Sequence, residues 1–168
     1  TAGIAKGQTI PGMKEAKNCE VYAIAGRSLE KATAFQTEFG FKKAYGSYEE
    51  LLQDEEVEAV YIPLPNTMHY EWTVKALEAK KHVLCEKPMA LCREDCVAMI
   101  RAQKESGKYL MVGQIVRKNP TFIRAKELIE SGEIGELVSV ESEYAHDYSD
   151  MKSNWRKDKE HPRHIITG

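Results

Sequence analysis

Apolar residues gather in short runs, and between the runs they recur every three or four positions. "EVYAIA" (20–25) is the first run, and "SLEKATAFQTEFG" after it sets Leu29, Ala32, Phe35 and Phe39 on one side of a helix closed by Gly40. A brief "KKAYG" precedes "SYEELLQD", where Ser47 and Glu50 have the spacing of a capping box. "EAVYIPL" follows, bounded by Pro63 and Pro65, and "NTMHYEWTVKALEAK" aligns Tyr70, Val74 and Leu77 along a helix capped by Asn66. "HVLCE" is the fourth run, and the helix after it carries Cys92, Cys96, Met99 and Ile100 as a stripe ending at Gly107, before "YLMVG" supplies a fifth. Short, nearly continuous apolar strands that alternate with helices suit a parallel sheet covered on both faces. The pattern predicts an α/β domain with a doubly wound parallel sheet.

The pattern changes near residue 119. "NPTFIRAKELIESGEIGE" reads as a helix started by Asn119 and Pro120 and stopped by Gly132. "LVSVESEYAH" then alternates apolar and polar positions for longer than any earlier strand, as expected where one face meets water or another layer. Residues 1–118 are expected to form one domain and residues 119–168 the start of a second α/β domain with an open sheet, cut off at Gly168. The stretch "DYSDMKSNWRKDKEHPRHIITG" shows no period and reads as a long loop. There is no internal repeat.

Composition narrows the partners. The 168 residues are 42% hydrophobic and 30% charged, enough for one full core and part of another. Twenty-four basic and 26 acidic residues give a net charge of −2 without blocks of either sign, so no footprint for nucleic acid or an anionic membrane is present. No apolar run approaches the roughly 20 residues that span a bilayer, and the start does not read as a secretory signal. The expectation is a cytoplasmic protein with a small-molecule partner. The four cysteines, Cys19, Cys85, Cys92 and Cys96, are expected as small buried hydrophobes, because no CxxC pair offers zinc ligands.

Three places carry candidate chemistry. Residues 1–12, "TAGIAKGQTIPG", are similar to the turn and helix after the first strand of a nucleotide-binding unit, with that strand missing. Ala2, Gly3 and Ile4 fall where the backbone approaches a pyrophosphate, Ala2 in place of the second glycine of a dinucleotide fingerprint and Ala5 in place of the third. At the end of the second strand of such a unit a carboxylate binds ribose hydroxyls, whereas an arginine accommodates a 2′-phosphate. Here "AGRS" offers Arg27 and Ser28 and no acid, which leans towards NADP, while Ser28 read alone is equally a helix cap. The third place is "HVLCEKPMAL", where Glu86 and Lys87 stand before Pro88 at the carboxyl end of a strand. Read from the residues alone, that pair is either an exposed ion pair or a site.

Together "GIAK", "AGRSLEKA", "YGSYEELL", "PLPNTMH", "KHVLCEKPMAL", "MVGQIVRKNP" and "ELIESGEIGELVSVESEY" resemble, in order and over nearly the whole chain, the Gfo/Idh/MocA family of NAD(P)-dependent oxidoreductases. The resemblance implies a Rossmann domain followed by a domain whose open sheet often mediates homo-oligomer contacts, with a sugar, cyclitol or other polyol bound above the nicotinamide. It implies that Lys87 lies beside the substrate hydroxyl and Glu86 near the nicotinamide ribose. Leu64, Pro65, Asn66 and His69 would line the cofactor cleft, with Gln114 and Arg117 its floor, although His69 read alone is equally a surface helix residue. Apart from the resemblance, His146 and Asp147 after the alternating segment and Trp155 and Arg156 in the loop are candidates to reach the substrate cleft, and read alone they are solvated loop residues. The Lys–Pro bond is commonly cis in the family. Departures are the missing first strand and opening glycine, Ala2, and Cys92 at a cap where threonine is frequent. The family's glycine-rich segment with its acid or histidine pair, the usual base, is expected just after "HIITG".

A lysine suits this position. An alcohol that gives up hydride also loses its hydroxyl proton, so the site needs a donor that steadies the alkoxide and a path for the proton. A free lysine holds its proton up to roughly pH 10.4; partial burial lowers that value and an adjacent acid raises it. Pro88 stiffens the turn that presents the amine. The expected function is hydride transfer between NAD(P) and a secondary alcohol. A non-catalytic dinucleotide sensor and a cofactor-retaining glycosidase remain alternatives; a Rossmann-like methyltransferase has no use for "EKP".

Overall fold

The computed structural model of the chain describes residues 5–143 and 145. Two compact units divide it, Thr1–Gly113 and Gln114–Gly168.

In the first unit a π-helical turn, Ala5–Thr9, runs into α1 (Ile10–Glu15), with Pro11 in the opening turn where its missing N–H leaves no bond unmade. There follow β1 (Ala23–Ala25), α2 (Leu29–Phe39), β2 (Lys43–Tyr45), α3 (Tyr48–Gln53), β3 (Ala59–Ile62), α4 (His69–Glu78), β4 (His82–Cys85), α5 (Arg93–Ser106) and β5 (Leu110–Val112). All pairings are parallel, as the uninterrupted apolar runs predict. The strands form two sheets, β1-β2 and β3-β4-β5, where a single sheet was expected, and among the described residues no strand joins the two.

The main core lies under the larger sheet. Leu77, Ala76 and Trp72 of α4 meet Ile62 of β3, Val83 and Cys85 of β4, and Met99 of α5. Complete burial of side chains such as Leu77 and Met99 stabilises the fold by about 1.5–3 kcal/mol each. A second cluster gathers Ala5 and Ile10 with Phe41, against Ile24 of β1 and Tyr61 of β3. The amino-terminal helix thereby touches residues of both sheets.

Several expectations need correction. The buried face of α4 is His69, Trp72, Thr73, Ala76 and Leu77, whereas Tyr70 is 37% exposed. The helix starts after a 3-10 turn, Asn66–Met68, and its cap residue is Met68, without a side-chain bond; the stripe is therefore set by the tight turn and not by an Asn66 cap. In α2 Ala32 is fully buried but Leu29 is not, because the first residue of the helix lies beside Gly46 at the sheet's rim. Ser47 does cap α3, accepting from Glu50 N at 3.2 Å, but the Glu50 carboxylate bonds the Gly46 N–H one residue upstream of the expected partner. Cys19 and Cys92 are exposed. Cys92 precedes α5 in extended backbone, off the helical stripe, and Ile100 on that helix is also exposed.

The second unit opens with a 3-10 turn, Ile115–Lys118, and continues into α6 (Pro120–Glu130). Asn119 caps α6 by accepting from Thr121 N at 2.9 Å, as the Asn–Pro pair predicts. The alternating segment after Gly135 is not a strand over residues 137–143. Val138 and Val140 are 91% and 74% exposed there, and a strand forms only against a neighbour that takes its backbone bonds.

Candidate active site at the carboxyl ends of the strands

The parallel strands of the first unit end in turns that hold Arg27 and Ser28, Leu64 to Asn66, and Glu86 and Lys87. Ligands of open α/β sheets bind beyond such ends.

After β1, Gly26 is buried, Arg27 is exposed and Ser28 caps α2, its hydroxyl accepting from Lys31 N at 3.5 Å. No carboxylate stands in "AGRS". Burial raises the Tyr48 hydroxyl, against the lowering effect of the Arg27 charge. After β3, Leu64, Pro65 and Asn66 form a half-buried turn, tightened by Met68 N donating to Pro65 O at 2.8 Å.

His69, the first residue of α4, is only 1% exposed and belongs to the helix's inner face, not to its surface. Its Nδ1 lies 2.7 Å from Pro88 O and its Nε2 2.9 Å from Leu64 O. The ring thus connects the turn after β3 to the turn after β4.

Glu86 follows β4 and prolongs its pairing, with Glu86 N donating to Ile62 O at 3.1 Å. Its carboxylate is engaged on both oxygens: Tyr61 Oη donates to Oε1 at 2.8 Å, and Lys87 N donates to Oε2 at 3.2 Å. Tyr61 Oη also lies 3.0 Å from Thr9 Oγ1. The phenol has one hydrogen, already given to Glu86, so Thr9 is the donor to Tyr61. Burial, foremost, together with Glu86 pushes the Tyr61 hydroxyl up to about 12, against the opposing effect of Thr9, which keeps it a donor at all physiological pH. Beneath the carboxylate lies Gly113, where a Cβ would stand 3.3 Å from Oε2. Only glycine leaves Glu86 its full room.

Lys87 is exposed. Its peptide bond to Pro88 is cis, and among the described residues its ammonium makes no ion pair. Glu86 and Lys87 are therefore not the ion pair that adjacency alone suggests. The acid is held by Tyr61 Oη and Lys87 N, and the residue that carries the amine is exposed.

Gln114 and Arg117 belong to the second unit, where both are exposed and Arg117 N donates to Gln114 O at 3.1 Å. Ala2, Gly3, Ile4, His146, Asp147, Trp155 and Arg156 lie outside the described residues. Sequence reasoning missed Tyr61, Thr9 and Gly113. Tyr61 was hidden inside the run "EAVYIPL"; a lone hydroxyl among aliphatic strand residues was the available signal.

Similarity to known proteins agrees with this geometry. The profile described as "Oxidoreductase family, NAD-binding Rossmann fold" matches residues 1–114, and the GFO/IDH/MocA C-terminal domain matches residues 122–167. An uncharacterised oxidoreductase of Rhizobium meliloti is 43% identical over 91% of this chain and 46% of its own length. D-xylose 1-dehydrogenase (NADP(+)) 2 of Haloferax volcanii is 41% identical over 86% of this chain and 44% of its own. A 3-ketoreductase from Actinomadura kijaniata, solved with NADP and TDP-benzene, superposes with a TM-score of 0.73 at 36% identity, covering 80% of this chain and 41% of that one. The chain spans less than half the length of these relatives. With both profiles matched in order and the parallel α/β fold in place, the chain belongs to the GFO/IDH/MocA oxidoreductase family.

Proposed function

We propose that this chain carries the cofactor-binding half of an NAD(P)-dependent oxidoreductase that interconverts a secondary alcohol and a ketone on a sugar, cyclitol or related polyol. The observation that carries the reading is the division of labour at the end of β4: Tyr61 holds the Glu86 carboxylate, while the exposed Lys87 has no ion-pair partner among the described residues. A cation free of carboxylate partners at the carboxyl end of a parallel strand is what a developing alkoxide requires.

The donor set fits a dinucleotide. Arg27, exposed beside the start of α2, suits the extra phosphate of NADP, and the absence of an acid in "AGRS" removes the usual partner of an unmodified ribose. Leu64, Pro65 and Asn66, in the turn after β3, would wall the bound dinucleotide, and Glu86, after β4, would offer it a fixed acceptor. Bound there, the nicotinamide supplies the hydride acceptor or donor. In reduction the Lys87 ammonium donates a hydrogen bond to the ketone oxygen and gives up a proton as hydride reaches the carbon, and in oxidation the same amine takes that proton from the hydroxyl as hydride leaves. The xylose dehydrogenase relative supports a sugar substrate and NADP as cofactor.

Initial-rate assays of the intact protein with a panel of polyols and each dinucleotide test this reading. Reduction of NADP+ by at least one polyol is expected. Cofactor binding with no turnover on any of them would favour a sensor instead.

A further inference from the structure

A chain of hydroxyls runs from the amino-terminal helix to the acid at the end of β4. Tyr61 pairs with Leu84, and Glu86 lies two residues on in backbone that prolongs the pairing, so phenol and carboxylate leave the sheet on one face. There Tyr61 Oη donates to Glu86 Oε1 at 2.8 Å, and Thr9 Oγ1 lies 3.0 Å from the same phenol oxygen. With its single hydrogen given to Glu86, the phenol accepts from Thr9. Thr9 closes the π-helical turn Ala5–Thr9. That wider turn, with i→i+5 bonds, lets Ala5 and Ile10 share one buried cluster against which Tyr61 packs, and Thr9 is half-buried beside them.

The chain fixes Glu86 without saturating it. A carboxylate has about four acceptor positions. Tyr61 Oη takes one on Oε1 and Lys87 N one on Oε2, so each oxygen can accept again. We propose that Thr9 and Tyr61 are positioning residues for the dinucleotide, holding the Glu86 carboxylate in the orientation that accepts from a ribose hydroxyl. Thr9 acts through Tyr61: a hydroxyl that accepts one hydrogen bond becomes a stronger donor in the next. The role rests on the reading given above, in which the dinucleotide lies at the strand ends, and adds to it a residue 77 positions from the acid in sequence.

NADP+ binding to the intact protein, read by fluorescence quenching, tests the role. Thr9→Val keeps the shape of the side chain and loses the hydroxyl, whereas Thr9→Ser keeps the hydroxyl. Thr9→Val is expected to raise the NADP+ dissociation constant about three- to tenfold, the scale of one hydrogen bond, and Thr9→Ser to leave it within about twofold. In a Tyr61→Phe background Thr9→Val is expected to change it by less than about twofold, because the hydroxyl acts only through the phenol. A Thr9→Val protein that melts lower yet binds NADP+ unaltered overturns the proposal, and so does an equal loss of affinity with and without the Tyr61 hydroxyl. A second readout needs no dinucleotide. In urea denaturation of the ligand-free protein, the drop in midpoint caused by Thr9→Val is expected to vanish in the Tyr61→Phe background; equal drops would show that the two hydroxyls are not coupled. Failure of the unaltered protein to bind either NADP+ or NAD+ would instead strike the reading of the whole site, and the positioning role with it.

Discussion

Tyr61 donates its only hydrogen to Glu86 Oε1 at 2.8 Å, and that bond separates the acid of the Glu86–Lys87 pair from its amine. The half-buried carboxylate needs the donor, because an ionised group out of water is costly unless hydrogen-bonded. Tyr61→Phe removes the donor and leaves Thr9 without its acceptor. We expect destabilisation of about 1.5–3 kcal/mol, the usual range for a hydrogen bond to a charged group, read by urea denaturation. We also expect a weaker grip on the dinucleotide, since Glu86 is then free to turn towards Lys87. An unchanged denaturation midpoint would show that the bond contributes nothing to stability.

Two glycines separate packing from conformational freedom. Gly113→Ala places a methyl group 3.3 Å from Glu86 Oε2, with the carboxylate already tethered on its far side. Overpacking of this kind costs about 1 kcal/mol or more, so a lower melting temperature is expected. Gly12→Ala, inside α1 with nothing within 4 Å, is expected to raise it, by about 0.5–1 kcal/mol. Opposite signs in thermal melts are the outcome that fits; two shifts of the same sign do not.

The cysteines are expected to react in two classes. Cys19 and Cys92 are exposed, whereas Cys85 is fully buried and its thiol is pushed up to about 11, chiefly by burial. A buried thiol that stays protonated is a poor nucleophile. Brief iodoacetamide treatment of the folded protein, followed by peptide mass spectrometry, should modify Cys19 and Cys92 and spare Cys85.

Asp54 should contribute to the acid limb of stability. The Tyr45 hydroxyl, 2.5 Å away, and then the Lys43 ammonium hold its carboxyl down at about 2. In the unfolded chain it titrates near about 3.9. The folded value is the lower one, so its contribution is present above roughly pH 4 and is lost as pH falls towards 2. Asp54→Asn should flatten the stability profile over that window and leave the profile between pH 6 and 8 parallel to that of the unaltered protein, read by denaturation midpoints at each pH.

How much of this was legible beforehand varies by element. The order of strands and helices followed from periodicity, because each apolar run is short and two of the longer helices, α2 and α5, stop at Gly40 and Gly107 with positive φ. Which side of a helix faces inward was less secure. Tyr70 and His69 are adjacent, and only the 3-10 turn before α4 decides which of them is buried. The alternation in "LVSVESEY" is a property of the segment alone, whereas strand formation needs a partner. At the site, Lys87 was visible through its neighbours Glu86 and Pro88. The Thr9–Tyr61–Glu86 chain was not, since its members lie 52 and 25 residues apart in sequence and meet only when the strands align.

The central claim is that the exposed Lys87 ammonium at the end of β4 acts on the substrate oxygen. Comparing Lys87→Ala with the unaltered intact protein, on whichever polyol it turns over, measures this most directly. Turnover is predicted to fall by about 10²–10⁴-fold, the usual contribution of a positioned acid–base group, while the dissociation constant for the dinucleotide, measured by fluorescence quenching, stays within a few-fold. Retained turnover in the alanine variant would contradict the account.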